Sequence, residues 1–598
     1  MKFHSTALWF VLAVLLFAGL WFFEKQLQPA APAPTVLLPG LRVAEVTHVQ
    51  ISPAGAREIS VVRTNGGWQL DKPFAYPAPA AGIEALLGAM TKLVPVLRLS
   101  ASDVHGKNTD AEFGFDNPQY TLELAAGEQA WHLRVGKLTA PGDQVYLRIV
   151  GLDGAFVTDA GWLQLLPGSA NVWRNTALVD AADTLDGIVI TNGAKVIELR
   201  RDATNHLWRM IRPLMTRADD AHILAAWQLL RSAKAEQFVT DDPKTDLSAF
   251  DLAPAELDVW FGRGTNFFSA VHAGKALPEN PAQIYARREG WNGVLAVAKE
   301  ALAPWRGAFN DFRDRHLLEL TPATPVAEIE VRGEAGADSY TLQARPGSGS
   351  GWVLAGEKFP ADTDNVLALV KLLAGFRIED FVKDVVTDLS SFGLATPARQ
   401  ITLRSVAGDT NHVIAQLLFS AVQTNKVYVK RADEDFVYAL AAEEFNRLPE
   451  SGWEFRERRI WSFSETNVAQ ITLHQNGRTR QAVRTGENKW SLAPGSQGII
   501  DPFAIEETVH RLGELTAAGW VGRNITVPEK YGLNTNNLSL TIEAKSGEKF
   551  TVDFSEYVPR MQTALAAVTL EGERWAFVFP APLYQLVVAH LPLPANAP

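Results

Sequence analysis

A single spacing constrains this chain more than any other feature. Trp68, Trp208, Trp352 and Trp490 each follow a β-rich segment in similar settings, Gly67-Trp68-Gln69-Leu70 through Lys489-Trp490-Ser491-Leu492, and they recur with a period of about 140 residues. A second mark keeps the same beat. Phe113-Gly114-Phe115, Phe250-Asp251-Leu252, Phe392-Gly393-Leu394 and Tyr531-Gly532-Leu533 repeat at that period. The closest internal match sets Thr245-Asp246-Leu247-Ser248-Ala249-Phe250 against Thr387-Asp388-Leu389-Ser390-Ser391-Phe392, one period on. Tyr146, Tyr285 and Tyr428 form a third series that ends at Gln562-Thr563-Ala564-Leu565 in the last copy. Independent marks with one period mean duplication, and 598 residues exceed what one hydrophobic core serves.

Within a copy, alternating runs such as Glu58–Arg63 and Arg399–Arg404 have the period of two expected of half-buried strands. Gly66-Gly67 and Gly347–Gly351 read as hairpin tips. Helices are predicted over Pro79–Leu93, Ala218–Ala235, Asp362–Phe376 and Asp501–Thr516. In the third, Val366, Leu367, Val370, Leu372 and Leu373 are expected to form the inner face, with Asp362 or Thr363 capping the start. More strands follow, then a short closing helix, as at Ala160–Leu166 and Glu443–Leu448. The order β-β-β-α-β-β-β-β-α predicts an α+β unit with a mainly antiparallel sheet. A copy of about 140 residues has the usual size of a domain and can hold its own core, which makes tandem domains rather than thin solenoid repeats. The predicted division is 1–28 anchor, 29–44 Pro/Ala-rich linker, and repeat domains 45–181, 182–320, 321–462 and 463–598.

The anchor is read from Ala7–Phe23, an uncharged run of 17 residues spanning roughly 26 Å as a helix, which Phe3–Thr6 extend toward the ~30 Å hydrocarbon core. Trp9, Trp21, Phe22 and Phe23 sit near its ends, where aromatic rings favour the membrane interface. A cleaved signal peptide is the rival, but the run exceeds an h-region, and Ala31-Pro32-Ala33 lies far downstream before Pro34. Lys2 and the free amino group before the run, weakly opposed by Lys25 after it, predict a short tail inside and everything from Gln26 onward outside the cytoplasm.

The chemistry-bearing patterns are few. Each marker Trp keeps a fixed place in a strand before a Pro turn, which is the place of a core aromatic rather than of a binding track. The Phe/Tyr-Gly-Leu turn asks for a positive φ, and Asp251 is among the less disfavoured substitutes for Gly there. Arg174, Arg313 and Arg456 recur after Trp173, Phe312 and Phe455 at the common period, and have no counterpart after the fourth copy. Because the element occurs only where another unit follows, it reads as an inter-domain connector; an anion site is the other reading. Arg313 is expected to pair with a carboxylate of the unit that follows it.

The chain lacks cysteine, which removes disulfides and thiol chemistry, and its 12 histidines show no zinc-binding spacing. No phosphate loop, dinucleotide fingerprint or G-x-S-x-G elbow occurs. Ser546-Gly547-Glu548-Lys549 fits S-x-x-K but lies between alternating strands and reads as a hairpin turn. No catalytic, cofactor-binding or metal residue is assigned, and no cofactor is expected. A net charge of -11 with mixed-sign clusters argues against a nucleic-acid partner.

An N-terminal anchor, tandem W-x-L units before a Pro and a helix, the [FY]-G-L-x-x-P turn, a Gly-to-Tyr strand pair and a closing R-[ND] element together resemble the bacterial domain-of-unknown-function family numbered 4340, over residues 45–590. Asp251 for Gly and the missing fourth Tyr depart from the pattern. The resemblance implies an envelope protein of the cytoplasmic (inner) membrane, single-pass with its bulk in the periplasm, often encoded beside an ABC-type export system like that of gliding motility. The expectation is therefore a non-catalytic, membrane-anchored extracytoplasmic scaffold or accessory subunit whose partners are ABC transporter subunits. A cell-envelope protein gripping a glycan, peptide or lipid is the alternative reading, and a hydrolase the third.

Overall fold

The computed structural model describes residues 3–27, 35–65, 67–104, 109–179, 185–291, 293–320, 325–334, 338–345, 351–407, 410–534 and 538–592. The chain divides into two compact units, Met1–Asp314 and Arg315–Pro598, and each carries two antiparallel sheets.

The first repeat shows how one sheet is made. Tyr76–Ala78, Gly67–Lys72, Ile59–Thr64 and His48–Pro53 form four neighbouring strands; Tyr120–Ala126, Gln129–Leu138, Gln144–Ile149 and Ala155–Asp159 continue the sheet, and Leu97–Leu99 closes the far edge. Every pairing is antiparallel. The helix Ala80–Thr91 leaves one edge of the sheet and delivers the chain to the other. Twelve helical residues are about 18 Å long, whereas nine flat strands are roughly 38 Å wide. Register shifts at Ser60/Val61 and Val135/Leu138 supply the bend that curls the sheet around its helix.

The helix presents Ile83, Leu86, Leu87 and Met90 to Val49, Ile51, Val61, Leu70, Leu124, Leu133, Val145 and Leu147 of the strands, all fully buried. Leu37, Leu38 and Leu41, assigned to the linker by composition, are buried in this same core. Leu37 N–H donates to the Leu93 carbonyl at 2.8 Å. Pro29–Pro34 lie outside the described residues, as does most of the Gly347–Gly351 hairpin tip.

The second and third sheets repeat the nine-stranded order, and the fourth has eight, without a strand between Lys489–Leu492 and its helix. The four helices are Ala80–Thr91, Asp220–Ser232, Thr363–Gly375 and Pro502–Gly513, each within the predicted span and shorter than it. In the third, Val366, Leu369 and Leu373 are buried and Leu367 is half exposed. The i, i+3, i+7 spacing therefore selects Leu369, and Leu367 falls about 100° off that face. Asp362 caps this helix by accepting from the N–H groups of Asp364 and Asn365.

The α+β architecture of repeated antiparallel sheet-plus-helix units stands, but its transmembrane part is corrected. A helix runs Phe3–Leu27, and the described side chains on it span Trp9–Trp21. Among the described residues no helix is long and apolar enough to cross a membrane. The single-pass anchor and the inner-membrane and periplasmic placement drawn from it are corrected by this finding, which does not bear on ABC transporter subunits as partners.

Candidate functional site

The marker residues resolve into packing. Trp68, Trp208, Trp352 and Trp490 are 4–6% exposed. The turn series reaches φ values of 79° at Gly114, 55° at Asp251, 67° at Gly393 and 69° at Gly532, so the recurring glycine meets a left-handed backbone. The tyrosine series packs on the turn aromatics: Phe113–Tyr146 and Phe250–Tyr285 ring centroids are 4.8 Å apart, and Phe392–Tyr428 are 5.5 Å apart. In the fourth repeat Tyr531 packs instead against the cluster of Ile525, Leu533, Ala567 and Ala576. Ser546–Glu548 connect the paired strands Ser539–Ala544 and Lys549–Val558, with Gly547 at φ 86°.

The polar chemistry of the connectors comes from their local backbone. Ala170–Trp173, Phe309–Phe312 and Gly452–Phe455 are short 3-10 turns, and the arginine after each is extended. Successive side chains of an extended segment point opposite ways. Trp173, Phe312 and Phe455, each at most 2% exposed, thus plug the core of their own repeat while the arginine turns outward from it.

Arg174, with a fully buried side chain, lands on the second repeat. Its Nη1 and Nη2 donate to Asp241 Oδ2 and Oδ1 at 3.0 and 2.6 Å. Its guanidinium carbon lies 3.5 Å from the Phe238 ring centroid, 4.1 Å from Tyr76 and 4.4 Å from Phe74. Two aromatic rings of the first repeat and one of the second therefore enclose a cation whose bidentate partner belongs to the second. Asn175 N–H donates to the Pro77 carbonyl, and Ala235 N–H to that of Thr176, at 2.8 and 2.7 Å.

Arg456 repeats the arrangement between the third and fourth repeats. It lies 4.5 Å from Phe359, 4.6 Å from Trp575 and 5.9 Å from Trp520, with Glu571 at 3.4 Å. Burial lowers its guanidinium pKa, and Glu571 offsets part of that effect. Arg523 adds a second link. It donates to both oxygens of Glu357 at 2.6 and 3.1 Å, and to Glu573 at 2.8 and 3.0 Å, and the bonds to Glu573 and Glu357 raise its pKa. Arg313 is 1% exposed, and its Nη1 donates to Asn310 Oδ1 at 3.2 Å. Within the same unit Asp314 N–H donates to the Arg217 carbonyl, and the two side chains pair at 2.5 Å.

The three arginines thus occupy three separate connectors. Sequence reasoning missed Asp241, Glu357, Arg523 and Glu571, which carry no periodic mark. It also missed Arg288 and Arg431, which grip the incoming chain through the carbonyls of Ala177 and Leu317 at 2.7 and 3.0 Å. Their signal was available, since each lies three positions after a Tyr of the third series.

Elsewhere, His272 Nδ1 meets Asp258 at 2.5 Å and its Nε2 meets Glu289 at 2.8 Å. Both ring nitrogens are engaged, which leaves neither for a substrate. Among the described residues no three His, Asp or Glu side chains are placed to hold a metal ion.

Comparison with known families gives three consecutive matches to one described as Domain of unknown function (DUF4340), at residues 68–206, 208–354 and 352–536. Each match begins at a marker tryptophan. No curated protein matches the chain.

Proposed function

Because the chain belongs to the DUF4340 family, a family described without an activity, we propose from its own residues that it is a non-catalytic accessory scaffold. In this reading Arg174 and Arg456 act as connectors that fix one repeat on the next. The observation that carries it is the Arg174 junction, where a buried guanidinium, three aromatic rings and Asp241 tie two repeats together. Burying a cation costs several kcal/mol unless it is paired and hydrogen-bonded. A chain that places such a group between domains spends stability on holding them in one geometry, which is what a scaffold requires. The Arg456 cluster supports the same reading.

The test uses full-length chain in cells that lack their own copy. Combined Arg174→Ala and Arg456→Ala substitution is expected to abolish complementation and the crosslinks to neighbouring proteins, with chain abundance held. An exposed Asp, Glu or His outside the junctions whose substitution abolishes complementation while crosslinks and folding persist would overturn the scaffold and show an enzyme.

A further inference from the structure

The outer faces of the four sheets are not alike. In the third, Glu330 sits between Arg404 and Arg332, and Arg404 also reaches Glu328. In the second, His272 is held by Asp258 and Glu289. In the fourth, Asp553 takes Arg574 and Ser539, each at 2.8 Å, and Thr541 meets Thr551 at 3.0 Å. These faces pair most of their charged groups across their own strands, Arg287 of the second, opposite His272, being an exception among the described residues.

The first sheet departs from that rule. Gln50 and Ser52, Thr121 and Glu123, and His132 and Arg134 stand on three adjacent strands in matched register: Gln50 opposite Glu123, Ser52 opposite Thr121, Glu123 opposite His132, and Thr121 opposite Arg134. Two strand spacings by one two-residue step make this a polar grid of about 10 by 7 Å. It lines a groove of about 330 Å³, at the low end of the roughly 300–1,000 Å³ of small-molecule sites. Glu123 and His132 face each other at 3.5 Å. Among the described residues the side chains of Gln50, Ser52, Thr121 and Arg134 make no hydrogen bond or ion pair. The neighbouring Arg148 is taken by Asp110 at 2.7 Å, so among the described residues Arg134 is the arginine left to the groove. Val150, 56% exposed, adds an apolar wall.

We propose that this face of the first repeat binds a small polyhydroxylated carboxylate of the sugar-acid class. One cation suits one carboxylate, since a guanidinium presents a planar fork of donors that a carboxylate matches. Amide, hydroxyl and carboxylate groups at strand spacing suit a row of hydroxyls that both donate and accept. Val150 offers an apolar surface to the C–H face of a ring. The site shares no residue with the Arg174 junction and does not depend on the scaffold reading.

The experiment is calorimetric titration of the full-length chain at fixed salt with D-glucuronate, D-glucose and inorganic phosphate. Saturable glucuronate binding is expected, weakened roughly ten- to a hundredfold by Arg134→Gln, as loss of a charge-assisted hydrogen bond implies. Glucose is expected to bind more weakly than glucuronate for want of the carboxylate, and phosphate for want of the hydroxyl row. Arg134 is exposed, so its variant should melt as the parent does, and Ser52→Val reads the hydroxyl contacts independently through a severalfold loss. Absence of saturable glucuronate binding, or affinity unchanged in Arg134→Gln, overturns the site. Phosphate binding as tightly as glucuronate through Arg134 overturns the sugar-acid assignment.

Discussion

Trp352 and Gly393 show two ways in which one residue holds its place in a repeat. Trp352 is 6% exposed, and truncating a buried aromatic to alanine removes both transfer free energy and packing, about 3–5 kcal/mol. Chemical unfolding of the full chain should show the transition of the third repeat displaced by that amount in Trp352→Ala. An unmoved transition would make Trp352 a surface residue. Gly393 fails differently. A Cβ there would meet Gln423 and Ser420 at 3.4 and 3.5 Å, an ordinary contact, so the cost of Gly393→Ala is conformational. At φ 67° that cost is about 1–2 kcal/mol, while Asp251→Gly at the equivalent turn should be neutral or stabilising. If both substitutions moved stability in the same unfavourable direction, backbone strain would not be what selects the residue.

The Thr-Asp-Leu-Ser match, the strongest internal likeness in the sequence, is a cap at the scale of an element. Asp246 accepts from the N–H and Oγ of Ser248 at 3.0 and 2.6 Å and opens a short 3-10 turn, and Asp388, one residue before the Leu389 that opens the equivalent turn, accepts from Ser390 N–H at 2.9 Å. Hydrogen bonds from the Ser248 side chain and backbone lower the pKa of Asp246, and those from the Ser390 backbone and side chain lower that of Asp388. A carboxyl depressed by folding contributes stability that is present above its unfolded pKa of 3.8 and is lost as pH falls through the lower folded value. Asp246→Asn combined with Asp388→Asn should therefore flatten the acid limb of the melting profile between about pH 5 and 2 and leave its dependence near neutral pH unchanged. An acid limb as steep as the parent's would count against the caps. The sequence made the helices and the sheet-plus-helix unit legible because apolar periodicity and caps are local. The extra edge strands Tyr76–Ala78, Thr216–Arg217 and Pro360–Ala361 were not, since two or three residues carry no period and owe their pairing to neighbouring strands. The N-terminal run was expected to be an anchor, and among the described residues no helix is long and apolar enough to cross a membrane.

At the scale of the molecule, periodicity revealed the arginines of the connectors and concealed what they meet. Asp241 follows the strand Ala235–Thr240 of the second repeat, whereas Asn524 follows the strand Gly519–Arg523 of the fourth. With an amide in that place Arg456 turns to Glu571, at 3.4 Å on a different hairpin, and Arg523 with Glu357 supplies the bidentate link. The two junctions should therefore respond unequally. Arg174→Ala leaves Asp241 without its partner and empties a cage of three rings. Breaking a buried pair on one side costs about 3–5 kcal/mol against roughly 0–1 for an exposed one, and Asp241, with its side chain 34% exposed, places this loss near the lower end, about 3 kcal/mol. Arg456→Ala should cost less in coupling, because Arg523 still joins Glu357 to the fourth repeat. Hydrogen exchange on the full chain reads both. The amides of Asn175 and Ala235, whose acceptors are Pro77 and Thr176, should lose protection in Arg174→Ala while Val61 and Leu124 in the first sheet keep theirs. The Glu457 amide, whose acceptor is Pro360 at 2.9 Å, should lose less in Arg456→Ala and lose fully only when Arg523→Ala is added. Unchanged protection at Asn175 and Ala235 would mean that Arg174 does not hold its junction, and equal losses in the two single variants would mean that the Arg523 link does not compensate.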